Sequence, residues 1–243
     1  MSEDESSALR PADVAAEICR RVGQRVELSM VEDYPLTTAA TGAPAGRMRV
    51  WHGGPVARLV DVEMAIASIG IDSTMTHVFA DASSAVPHFT SDVATIPEGV
   101  FVNVDLMPRV DLVNETKYLD TVYAPLTEPL NSILALDDTR AIALPPRLKA
   151  LCSPWILGVT APATDLTRLA AGIYAYLDRW FDMAFGAVPE VGLSSEDLVL
   201  RDAHHRSTLF HPLSDEVWSL LPELIGAEAT NHIRLTISEP VRL

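Results

Sequence analysis

The sequence predicts an α+β fold, an antiparallel β-sheet with helices packed on it. Residues 48–106 are dominated by β-branched, alternating segments joined by turn residues. After Pro162 the character changes to helical periodicity. A run of strands followed by a run of helices fits an antiparallel sheet with segregated helices better than alternating βαβ units. The clearest stretch is 86–112, VPHFTSDVATIPEGVFVNVDLMPRVDL, which reads as two strands joined by a turn at Pro97-Glu98-Gly99.

In chain order, residues 1–10 are polar and expected to be disordered. Residues 11–243 are expected to form a single domain, because no repeat, low-complexity tract or linker interrupts them. Residues 11–26 carry a helical stripe at Val14, Ile18, Val22 and Val26. Residues 37–47 read as a small-residue loop; its Gly42 and Gly46 lack the spacing and the Lys of a phosphate loop. Strand character begins at 48–51. It continues in 62–71 and 74–79, separated by Asp72-Ser73, and then in 86–96 and 100–106. A short helix is expected at 115–123, irregular chain at 125–146 and a further strand at 153–160. Thr164 or Asp165 can cap the next helix, whose stripe is Leu166, Leu169, Ala170, Ile173, Leu177 and Trp180 and whose end is Gly186. Ser194 or Ser195 caps a helix over 196–210, broken by His211-Pro212. Ser214 opens another, interrupted at Pro222 and stopped near Gly226, and 227–237 is helical too.

Composition narrows the function. A chain of 243 residues, 48% hydrophobic and 21% charged, can bury a real core. Its net charge of −15 argues against nucleic acid or an anionic membrane as partner. Cys19 and Cys152 match neither a metal spacing nor a disulfide framework, which suits a reducing cytoplasm. No apolar run is long enough to span a bilayer, and MSEDESS resembles neither a secretory signal nor a transit peptide, so the expected location is cytoplasmic. The histidines are scattered, and adjacent His204 and His205 point to different helix faces, so no metal site is expected. No nucleophile elbow, Walker loop or dinucleotide fingerprint occurs. Trp51, Trp155, Trp180 and Trp218 read as core.

Two places carry ionisable groups among apolar neighbours. On the strand 86–96, His88, Thr90, Asp92, Ala94 and Ile96 share one face; on the next, Phe101, Asn103 and Asp105 share one. A carboxylate there is costly unless it is paired, exposed or protonated. A sheet face open to water explains the same pattern. On the 196–210 helix, Leu198, Asp202, His205 and Leu209 fall on one stripe, so Asp202 and His205 are expected to turn inward, where at this spacing they can hydrogen-bond and hold or pass a proton. A solvated helix with an ordinary Asp–His contact is the alternative.

These stretches resemble red chlorophyll catabolite reductase and, more distantly, the ferredoxin-dependent bilin reductases. The similar blocks are PHFTSD, VDLMPRVDLV and KYLDTVY, then SPWILGVTAP, then RDAHHR and DEVWSLLPELIGAEATNHI, spanning roughly residues 48–237. The acidic strand position is Asp92, where the plant chlorophyll enzymes carry Glu and the bilin reductases Asp, and a Met replaces a family-like Pro in VDLMPR. The acidic helix position falls on Asp202.

The resemblance implies a three-layer α/β/α sandwich with the ligand between the sheet and the C-terminal helices. It implies reduction of a linear tetrapyrrole through substrate radicals, with no bound metal or organic cofactor. Electrons come from reduced ferredoxin, itself acidic; the positive groups available to face it are Arg47, Arg49, Arg58, Arg109, Lys117, Arg147 and Lys149. Asp92 and Asp202 become the proton donors, expected to line one cavity without touching, with His88, Asn103 and His205 as substrate-binding residues. A homodimer is implied by likeness to the plant enzyme. The competing reading, favoured by the acidic charge, keeps fold and cleft without redox chemistry: a binding protein, or a cyclase or isomerase, for another conjugated metabolite.

Overall fold

A computed structural model describes residues 8–241. Of the stretch expected to be disordered, residues 1–7 lie outside the described residues. Leu9 packs on the core, and the backbone N–H of Arg10 bonds to Asp13. The elements in order are α1 Pro11–Arg25, β1 Ser29–Thr37, β2 Pro44–Gly53, β3 Val56–Ile66, β4 Ile71–Phe79, β5 His88–Ile96 and β6 Gly99–Met107. There follow α2 Thr116–Val122, α3 Thr127–Leu134, β7 Arg140–Ala141, α4 Pro146–Leu151, β8 Leu157–Ala161, α5 Leu166–Phe185, α6 Ser195–Leu209, α7 Val217–Ile225 and α8 Ala227–Ser238.

The eight strands form one sheet in the order β1-β2-β3-β4-β5-β6-β8-β7, and every neighbouring pair is antiparallel. Alternation sends successive side chains to opposite faces. Phe89, Val93, Val102, Val104 and Leu106 join a core with the apolar stripes of α1 and α5. Met48, Val60, Val62, Met64 and Met75 join a second core with Trp218, Leu221 and Ile225 of α7 and Ile233 and Ile237 of α8. The α+β sandwich is therefore built as helices, sheet, helices. The stripe expected on the 164–185 segment is buried from Leu166 to Trp180. Ser194 caps α6 by accepting from Asp197 N–H, and Asp197 returns the bond to the Ser194 N–H.

Several boundaries differ from the sequence expectation. β1 was not anticipated: it is an edge strand, mostly exposed, and contains Glu32, Asp33 and Pro35, so it lacks the apolar alternation of a covered strand. The expected loop at 37–47 already belongs to β2 from Pro44. Gly46 reflects crowding: it has φ +140°, and a Cβ there would meet the Glu63 carbonyl oxygen at 1.9 Å. The hairpin placed at Asp72-Ser73 turns at 67–70 instead, where Gly70 supplies a φ of +69°, and β3 begins at Val56 rather than 62. The span 125–146 holds α3 and the two-residue β7, and β8 starts at Leu157, because Ser153 is drawn away to Asp105. Gly46→Ala is expected to lower stability by about 2 kcal/mol or more, measurable as a drop in the urea midpoint with an unchanged slope; no drop would show that β2 can move off β3.

Candidate active site

The second face of the sheet is not fully filled. Between it and α7 lies a cavity of about 450 Å³, within the range of small-molecule sites. Its floor is Met75 and His77 of β4, Asp92 of β5, and Phe101 and Asn103 of β6. Trp218 and Leu221 of α7 form its roof, and Phe210 and Asp215 close it from the connection between α6 and α7. Ile142, Leu144 and Leu148 supply an apolar wall.

Register puts the carboxyl group of Asp92 at the centre. Asp92 lies opposite Met75 on one side and Asn103 on the other. Asn103 Nδ2 donates to Asp92 Oδ2 at 3.2 Å. Burial, reinforced by the facing Asp215, pushes the Asp92 carboxyl up to about 7, against the opposing hydrogen bond from Asn103. Asp215 is itself raised, chiefly by burial, although it accepts the Val217 N–H at 3.1 Å. Burial, and then the charge of Arg206, push His77 down to about 3, so its ring is neutral at pH 7. Three buried polar atoms of lining residues have no hydrogen-bond partner: His77 Nδ1, Asn103 Oδ1 and Trp218 Nε1. Buried polar atoms are rarely left open, so these are groups that an occupant of the cavity can satisfy. The site therefore combines an apolar enclosure, a carboxyl group poised to hold or release a proton near neutrality, and a few unspent polar groups.

His88, Asp92 and Asn103 do point to the same side of the sheet, toward the C-terminal helices. Asp202, however, does not line the cavity, and the expected common cavity for Asp92 and Asp202 is not formed. The bond that this spacing allows between Asp202 and His205 is also replaced. Asp202 Oδ1 is 2.7 Å from His88 Nε2 and 3.2 Å from Arg109 Nη1, and its Oδ2 is 3.5 Å from Arg206 Nη1. The inward stripe of α6 is Leu198, Asp202, Arg206 and Leu209, with Arg206 in the place expected for His205. His88 Nδ1 accepts the Ala80 N–H at 3.1 Å, and its Nε2 meets both Asp202 Oδ1 and, at 2.5 Å, Arg109 Nη1. Burial raises the Asp202 carboxyl, but His88, Arg109 and Arg206 outweigh it and hold it well below the usual carboxylate range. Arg109 also donates to the Ala82 and Leu198 carbonyls, and Arg206 to that of Ile237. This is a buried ion network beside the cavity, in which Asp202 Oδ2 and Arg206 Nη1 make no hydrogen bond.

His205 lies elsewhere. Its Nε2 is 2.6 Å from the Leu151 carbonyl, and it lines a second groove with Lys149, Arg201 and His204. Asp105, on the Asp92 face of β6, is pushed up to about 7 by burial and accepts the backbone N–H and hydroxyl of Ser153. Five of the cations expected to face a partner have partners within the chain, Arg147 at Ser214 and Arg47 at Asp33 among them. Arg109 is buried, Arg49 pairs with Asp61 at 2.6 Å, and Arg58 donates to the carbonyls of Thr236 and Glu239. Trp180 and Trp218 are buried, Trp51 and Trp155 half-buried, and Trp218 serves the cavity as well as the core.

Sequence reasoning missed His77, Asp215, Arg109 and Arg206 as site or network residues. His77 follows from register: it opposes Thr90, two positions from Asp92 on the same face. Asp202 and Arg206 stand at i, i+4, a spacing that marks a helical ion pair. Asp215 resembled an ordinary residue at a helix start, and nothing local marks Arg109 as buried.

Among the described residues no helix is long and apolar enough to cross a membrane, and no cluster of His, Cys, Asp and Glu has the geometry to hold a metal ion. No protein-family model and no curated protein sequence matches the chain. Solved structures do match. Phytochromobilin synthase from tomato, crystallised in complex with biliverdin, superposes with a TM-score of 0.74 at 13% identity, over 93% of this chain and 82% of that one. The chain thus shares the fold of phytochromobilin synthase.

Proposed function

We propose that the chain is a reductase of a linear tetrapyrrole that works in the cleft between the sheet and α7, taking electrons one at a time from reduced ferredoxin. The observation that carries the reading is Asp92: a carboxyl group with a raised pKa, in the middle of the sheet, on the floor of an apolar cavity with unspent polar groups. The fold shared with a biliverdin-bound enzyme and the sequence resemblance support it. In this reading each electron accepted by the substrate is matched by one proton at carbon or nitrogen. Asp92 gives the proton and Asp215, facing it, is the second acid of the cleft. No bound cofactor is required of the protein. His88 and Asp202 belong to the framework that sets the position of β5, and Asn103 holds the Asp92 carboxyl in place.

A second reading keeps the cleft without redox, as a binding protein, cyclase or isomerase. It is favoured by the net charge of −15, which repels an acidic electron carrier. One titration separates the two. Biliverdin added to the protein is expected to shift its visible absorbance, and to bleach only when reduced ferredoxin is present. A shift without bleaching selects the second reading, and the absence of any shift removes the tetrapyrrole from both.

A further inference from the structure

The polar groups of the cleft are biased to one charge. Asp92, Asp215 and Glu216 line it, and among the described residues no Lys or Arg does. The imidazole of His77 is neutral at pH 7 and supplies no positive charge. Arg147, close in sequence to the lining residues Pro145 and Leu148, is not itself a lining residue, and its Nε donates to Ser214 Oγ at 3.0 Å. Lys149 and Arg201 open onto the other groove. At the mouth stands Glu216, exposed, on a chain of net charge −15.

A carboxylate brought into such a cleft loses water and gains no cation. Above neutrality, where Asp92 has given up its proton, it also meets like charge across a medium of low dielectric, where repulsion is stronger than in water. N–H donors, in contrast, find Asp92, Asp215 and the open Asn103 Oδ1 as acceptors. We infer that this cleft selects a conjugated ligand rich in N–H groups whose acid side chains are masked or missing, an ester or neutral tetrapyrrole rather than the free diacid. The inference rests on the tetrapyrrole reading and narrows its substrate class.

Biliverdin and its dimethyl ester test it, because they share the chromophore and the N–H groups and differ in the carboxylates. Both are titrated into the full chain at pH 8 and low salt, followed by visible absorbance. The ester is expected to bind about 10-fold more tightly, the scale of a screened like-charge contact. The gap should narrow in Asp215→Asn and in Glu216→Gln. Equal affinities, or tighter binding of the diacid, overturn the inference while leaving the tetrapyrrole reading in place. A preference for the diacid that disappears in Arg147→Ala also overturns it, and assigns a carboxylate site to Arg147. If neither compound changes the spectrum, the tetrapyrrole reading fails and the inference fails with it.

Discussion

Asp92→Asn is expected to cost turnover about 100-fold or more, the scale of a lost general acid, while bilin affinity changes little. Asn keeps the shape and removes the proton. With one-electron delivery intact, a reduced radical of the substrate should accumulate and be visible by electron spin resonance. The same variant should gain stability. The native carboxyl titrates near 7 and an unfolded one near 4, so the folded chain holds a proton that the unfolded chain has lost between those values. Stability of the parent therefore falls as pH rises through that window, and Asn removes the fall. The full shift would be worth at most ~4 kcal/mol; solvent reaching the half-buried group through the cleft mouth reduces this to about 1–2 kcal/mol. Thermal unfolding should show the gain at pH 8 and little of it at pH 4. Full turnover in Asp92→Asn would make Asp92 a residue of the sheet and not of the chemistry.

Asp202→Asn should behave in the opposite way. It leaves Arg109 and Arg206 buried without their anion. Breaking a buried pair from one side costs about 3–5 kcal/mol, read as a lower urea midpoint. Because the Asp202 carboxyl is depressed in the fold, its contribution is present at neutral pH and lost as pH falls into the acid range. The gap between parent and variant should therefore close on acidification. Turnover per folded molecule should fall far less than in Asp92→Asn. A large loss of turnover at an unchanged urea midpoint would return Asp202 to the chemistry.

Much of the fold was legible because it rests on local pattern. The hairpin of β5 and β6 has clean alternation and turn residues, α5 carries its apolar stripe although Asp165 before it makes no side-chain capping bond, and α6 carries its Ser194 cap. Asp92 and Asn103 were legible for the same reason: on adjacent strands joined by a short turn, register follows from the sequence. What was lost depends on distance along the chain. His88 finds Asp202 across 114 positions, and no periodicity announces such a pair. On α6, the choice between His205 and Arg206 as the inward residue was a matter of one position, and chemistry guessed the histidine where packing took the arginine. β1 was missed because an edge strand is covered on one side at best and needs no apolar alternation. Gly46 was misread because a small residue demanded by a close backbone approach looks, in sequence, like one placed in a loop.

The two cores differ in when they can close. The face covered by α1 has its first helix before any strand is made. The face that becomes the cleft must wait: Met48, Val60, Val62 and Met64 emerge early, and the helices that cover them begin only at Val217. During synthesis that half of the sheet is an uncovered apolar surface for most of translation, the condition under which nascent chains associate. Contacts of such long sequence separation also slow folding. Ribosome-bound chains halted before residue 217 should therefore be the ones that need a chaperone.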